Sequence, residues 1–139
     1  MGNTLTTKQR AVLEALRSGE YVQISEDLAV PDRDGKPCRC AEGVLIDVAL
    51  DFGMPGLEWV EGETYWDLML DGKVVTYDEG QYCPPEVFEF LGLPESFFFT
   101  DDMGDRRNSY IHMMNDSYRQ SLGDIADIIE KNLTQNLTR

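Results

Sequence analysis

Apolar residues recur at helical spacing near the start of the chain. Val12, Leu13 and Leu16 share one face, Thr6 and Gln9 have capping-box spacing, and Gly19 supplies a stop. The pattern predicts a helix over residues 6–18. Val22 and Ile24 then mark one side of a short strand over 21–24. Residues 31–40 read as a turn-rich loop, because Pro-Asp-Arg-Asp-Gly-Lys-Pro holds two prolines and a glycine. Helical spacing returns at Val44, Leu45, Val48 and Phe52, which predicts a second helix over 41–52, closed by Gly53 and Pro55.

The period then shortens. Residues 57–60 form a strand candidate, and two further runs, 65–70 and 73–77, flank Asp71-Gly72. An Asp-Gly pair favours a two-residue hairpin turn, since both central positions need positive φ. Alternation puts Asp67 with Tyr65 and Met69, and Trp66, Leu68 and Leu70 on the other side, toward the core. Pro84-Pro85-Glu86 opens a short helix that runs to Leu91 and stops at Gly92 and Pro94. Phe97, Phe98 and Phe99 read as a core plug or tight turn, and residues 100–108 as a polar loop. Residues 110–114 fit either period. Ser121 caps a last helix that buries Leu122, Ile125, Ile128 and Ile129, and the chain turns polar after Leu133. The expected fold is α+β, a small antiparallel sheet with a central hairpin packed against three to four helices. The expected organisation is one compact domain over 1–133 and a polar C-terminal tail over 134–139.

Charge changes this picture in one place. Residues 42–102 carry fifteen carboxylates and a single cation, Lys73, while the rest of the chain carries eleven acids and eleven Lys or Arg. The whole formal charge of −14 therefore arises from an acidic middle. Most of those charges must face water or a partner. Direct binding to nucleic acid is disfavoured, because it needs a basic surface. A solubilising surface is the plain reading. The sharper one is a docking surface for a basic partner, with carboxylates imitating a phosphate backbone. Tyrosines among the acids supply anchors that charges lack. The candidate surface is Glu61, Glu63, Tyr65, Asp67, Asp71, Tyr77, Asp78 and Glu79.

Catalytic and metal candidates are few. Cys40 opens the second helix, where a thiolate would meet the positive end of the helix dipole, and the only histidine, His112, is followed by Asn115. A cysteine hydrolase built from Cys40, His112 and Asn115 is one alternative. Plain packing of Cys40 is the simpler reading, because no nucleophile elbow accompanies it. Cys38, Cys40, Cys83 and His112 are a weak zinc set, since only the first two are close in sequence. No phosphate-binding loop is present. Arg106-Arg107 either receives a phosphate or balances the acids from Asp101 to Asp105, balance being the simpler reading; with Arg119 they are the candidates for a local basic pocket. No cofactor is expected. No apolar run approaches the length of a membrane span, and no basic region with an apolar stretch opens the chain. Three cysteines do not all pair internally, which fits reduced thiols in a cytoplasm.

Several stretches, taken in order, resemble a family of small uncharacterised proteins encoded by bacteriophages and prophages. They are Ala15-Leu16-Arg17-Ser18-Gly19-Glu20-Tyr21-Val22-Gln23, Cys40-Ala41-Glu42-Gly43-Val44-Leu45-Ile46-Asp47-Val48, Pro85-Glu86-Val87 with Leu91-Gly92-Leu93, and Met114-Asn115-Asp116-Ser117 with Ile125-Ala126-Asp127-Ile128-Ile129-Glu130. Ala41, Glu42 and Ile46 depart from it, standing where the family has Cys, Leu and Cys. The resemblance implies a phage origin and a bacterial host cytoplasm, and no settled activity. By analogy with other small phage proteins, the expected function is inhibition of a bacterial antiviral defence protein or complex, anti-CRISPR-like, through its basic surface. Self-association is left open. The alternatives are a sponge for a nucleotide immune signal, using Arg106, Arg107 or Arg119, and the cysteine hydrolase.

Overall fold

A computed structural model describes residues 4–75 and 82–135. The architecture is α+β, with five helices and eight short strands among the described residues, the strands divided among three small sheets.

The first helix, α1 (Thr7–Arg17), starts at the expected capping box. Gln9 donates its backbone N–H to the Thr6 hydroxyl at 3.1 Å, and Thr6 returns its own to the Gln9 side chain at 2.9 Å. Val12, Leu13 and Leu16 are its buried face. The strand β1 (Val22–Gln23) follows. The stretch read as a loop over 31–40 is instead a hairpin of β2 (Ala29–Arg33) and β3 (Lys36–Arg39). Asp34 and Gly35 both have positive φ at its turn. β3 also pairs in parallel with β1, through Val22 with Cys38 and Gln23 with Arg39.

Cys40 is the N-cap of α2 (Ala41–Asp51), the central helix, which is buried almost all round. Gly43 is what lets it lie so close: a Cβ there would collide with the Leu28 carbonyl. The second sheet contains β4 (Leu57–Val60), β5 (Asp67–Leu70) and β6 (Lys73–Val74) in that order, all antiparallel. Asp71 and Gly72 take the positive φ values that the Asp-Gly signal required. Trp66 donates its backbone N–H to the Ala29 carbonyl at 2.9 Å and so ties this sheet to the first.

The helix α3 (Pro85–Leu91) ends at Gly92 in the left-handed conformation. The three phenylalanines lie in a strand, β7 (Ser96–Thr100), and not in a tight turn, and two of them fill the core as a plug would. Phe97 and Phe99 are buried and Phe98 is half-buried, as alternation demands. The stretch 100–108, read as a loop, contributes the partner strand β8 (Arg106–Tyr110). Extended backbone gives way to helix between Tyr110 and Ile111, where α4 (Ile111–Asp116) begins. Ser121 accepts the Asp124 N–H at 3.0 Å ahead of α5 (Leu122–Gln135), which runs on into the start of the stretch read as a polar tail.

One core unites these elements around α2, with Leu45, Ile46, Leu68, Phe97, Ile111, Met114, Ile125 and Ile129 fully enclosed. Each such side chain contributes about 1.5–3 kcal/mol relative to exposure.

Candidate functional site

The second sheet presents the most distinctive surface. Its strands pair in a register that decides which side chains share a face. Trp59 pairs with Leu68, and Leu57 with Leu70 and then Lys73. Leu57 and Leu68 are buried, so this is the inner face. The outer face therefore carries Glu58, Met69 and Val74 in one row and Val60 and Asp67 in the next. Val60 and Val74 are exposed, as is Tyr65 just ahead of β5. The sequence between Arg39 and Arg106 holds no cation but Lys73, and register places Lys73 in the inner row. The outer face thus mixes carboxylates with exposed apolar side chains and no cation of its own strands.

Most of the expected surface residues fall on or beside this face. Asp67 is on it and half-buried. Glu61 and Glu63 are exposed in the loop after β4, which turns back so tightly that a Cβ on Gly62 would meet the Tyr65 carbonyl. Asp71 is exposed at the β5–β6 turn, with its carboxylate against Gly56. Tyr77, Asp78 and Glu79 lie outside the described residues. Glu58 belongs to the face and was missed; alternation in Leu-Glu-Trp-Val would have found it.

Not every acid of the middle is available. Glu42 is buried, 2 % exposed. It accepts the Cys83 N–H at 2.7 Å and the His112 N–H at 3.2 Å, and the same oxygen meets His112 Nδ1 at 3.2 Å. Asp47 is enclosed by Arg39 Nε at 3.0 Å, Trp59 Nε1 at 2.8 Å and the Tyr21 hydroxyl. Burial raises its carboxyl above the ordinary range, against the pull of those partners. Arg39 is itself buried, donates to the Cys38 carbonyl at 2.9 Å, and stacks over Trp66 at 4.6 Å and Trp59 at 5.4 Å. These two acids hold the fold together and offer a partner nothing.

The hydrolase constellation is not arranged for catalysis. The Cys40 sulfur accepts the Gly43 N–H at 3.4 Å as a helix cap. Burial, with Glu42 nearby, pushes its thiol up, whereas a nucleophile needs it lowered. His112 turns Nδ1 to Glu42, with its ring against Tyr82 and parallel to Tyr110. Asn115 accepts the Ala41 N–H at 3.0 Å and donates to the Ile24 carbonyl at 2.8 Å, so it orders backbone and not the imidazole. The zinc set fares no better. The Cys38 sulfur faces the Lys36 carbonyl, and burial pushes the Cys83 thiol up. No three His, Cys, Asp or Glu side chains gather to hold a metal among the described residues.

The three arginine candidates line separate hollows. Arg106 and Arg107 are adjacent in β8, so alternation sends them to opposite faces. Arg107 pairs with Asp101 at 2.6 Å and more loosely with Asp105 at 3.7 Å, as the balance reading expected. Its hollow also takes in Asp102 and Tyr118. Arg119 lines a different one beside Gln23 and Asn115. Arg106 lines a third, between β7 and α5. Among the described residues each of the three therefore belongs to a hollow of its own.

No protein-family model, curated protein or solved structure matches this chain. No described helix is long and apolar enough to cross a membrane.

Proposed function

We propose that this protein acts by binding: it docks the outer face of the β4–β5–β6 sheet on a basic, nucleic-acid-binding surface of a bacterial antiviral defence protein and so inhibits it. The observation that carries the reading is the register of that sheet. It sets Glu58 and Asp67 beside Val60, Met69 and Val74, with Glu61, Glu63 and Tyr65 at the edge. Carboxylates give long-range attraction and orientation toward a basic partner, and the apolar residues between them give contact area once solvent is expelled. A face that served solubility alone would have no use for three exposed apolar side chains among its acids. The phage origin rests on the sequence resemblance, and the defence target on analogy with other small phage proteins.

The test uses a purified CRISPR effector loaded with its guide and a fluorescent target DNA. The protein should displace the DNA, and its affinity should fall steeply as salt rises. Charge reversal at Glu58, Glu61 and Glu63 together should slow association. Displacement indifferent to salt and to those reversals would sink the docking surface; no displacement from any effector tried would sink the target class.

A further inference from the structure

We infer that the hollow between β7, β8 and α5 is a binding site for a nucleotide-like anion, a phosphate carried on a flat ring system. This goes beyond the docking face and is independent of it. The hollow has a volume of about 410 Å³ and is lined by Phe98, Phe99, Thr100, Arg106, Ile128, Lys131 and Gln135. That volume lies in the range of small-ligand sites. Among the described residues its lining holds two cations and no carboxylate, in a chain of formal charge −14.

Register and helical spacing explain how these residues meet. Thr100 pairs directly with Arg106, and Phe98 lies two residues before Thr100, so the three share one face of the hairpin. Ile128, Lys131 and Gln135 follow three and four apart, which makes one stripe of α5. The two walls are pinned together. Asn132 accepts the Phe98 N–H at 2.9 Å and donates to the Phe98 carbonyl at 2.8 Å, so the helix occupies both backbone groups of the strand edge. The two walls of the hollow are thus fixed relative to each other.

Its chemistry divides in two. The Arg106 guanidinium lies 5.8 Å from the centre of the Phe98 ring, and Lys131 faces the hollow from the helix. Together they suit a phosphate, Arg106 through its planar fork and Lys131 as a point charge. Phe98 and Ile128 offer an apolar wall to a base, and the Thr100 hydroxyl and Gln135 amide offer hydrogen bonds to its edge or its sugar. A bare anion would leave that wall uncovered, and an uncharged nucleoside would bring the cations no opposite charge.

The experiment titrates AMP, GMP, CMP and UMP into the protein and follows backbone amide resonances by NMR. Inorganic phosphate and adenosine are the control probes. At least one nucleotide should shift the amides of residues 98–100, 106 and 128–135. Arg106→Ala and Lys131→Ala should each weaken that binding about tenfold, since each removes a charge-assisted contact at the surface. The triple reversal at Glu58, Glu61 and Glu63 should leave it in place, so failure of the docking face and failure of this site read out separately. The inference is overturned if no nucleotide shifts these amides at millimolar concentration. It is overturned equally if phosphate alone binds as well as the nucleotides, or if neither substitution weakens binding in variants whose spectra remain folded.

Discussion

Asn115 accepts the backbone N–H of Ala41 at 3.0 Å although the two residues are 74 apart in sequence. The first turn of a helix has N–H groups with no intrahelical partner, and here α4 supplies one for α2. The same oxygen accepts from the Gln23 side chain at 2.8 Å. The amide nitrogen donates to the Ile24 carbonyl and to Asp116. One side chain thereby joins β1, α2 and α4. Asn115→Ala should lower stability by about 3 kcal/mol in urea unfolding, since it strands the buried Ala41 N–H and the half-buried Ile24 carbonyl. Asn115→Asp should be at least as damaging, because it loses the donors and sets a second carboxylate beside Asp116. A loss under about 0.5 kcal/mol in both variants would show that this junction is not holding the helices.

Gly43 makes a second, steric junction. Any side chain there would strike the Leu28 carbonyl, which is backbone and has little room to yield. Gly43→Ala is expected to cost about 2 kcal/mol or more. Gly123→Ala is the contrast: its Cβ would meet nothing nearer than Ser121 Oγ at 3.9 Å. In a helix that change should add about 0.5–1 kcal/mol. The pair is read by chemical denaturation, and equal stability in the two variants would contradict the close seat of α2.

These residues also show what the sequence made legible. Asp71-Gly72 announced its hairpin, yet Asp34-Gly35 forms a hairpin with the same pair of positive φ values and read as loop. Pro31 and Pro37 hid it, since proline donates no hydrogen bond to a ladder. The structure accommodates Pro31 where the β2–β3 register shifts between Val30 and Arg33, so no donor is missed there. β8 was hidden differently: nearly every residue in it is exposed, so it has no alternation to read. The outer face of the β4–β5–β6 sheet was legible because its other face is core. The nucleotide-like hollow was only half legible, as Arg106 drew notice while its partners on α5 depend on how β7 packs. The burial of Glu42 had no signal, since a carboxylate in a helix ordinarily faces water.

Acid should stabilise this protein before it harms it. Burial raises the carboxyl of Asp47, and burial with Glu26 and Asp116 raises that of Asp27. A carboxyl with a raised folded value binds its proton more tightly when folded, so stability is lost as pH climbs through that value. The accumulated negative charge acts in the same direction. Asp101 has the opposite sign, because Arg107 holds it low, but its contribution fades only as pH falls below the ordinary carboxylate range. As pH falls from neutral toward the ordinary carboxylate range the Tm should therefore rise, by about 3 °C for a gain near 1 kcal/mol. Asp27→Asn should flatten that rise. A Tm that falls steadily over the same interval would refute the assignment.

Arg39 carries the most exacting demand, because it is a buried cation whose neutralisation is entirely internal. Its guanidinium uses Nε for Asp47 and Nη1 for the Cys38 carbonyl while its plane lies over Trp66 and Trp59. Arg39→Ala would leave the half-enclosed Asp47 without its cation and should cost about 3–5 kcal/mol. Lysine should rescue little of this: a single ammonium has no planar face for the tryptophans and no fork to span both acceptors. Trp59 and Trp66 are the only tryptophans in the chain, so their emission reports on the clamp directly. Arg39→Lys should shift that emission to the red as water reaches the rings, while the glutamates of the outer face remain exposed and unchanged. Wild-type emission and stability in Arg39→Lys would mean that charge alone suffices and that the stacking contributes nothing.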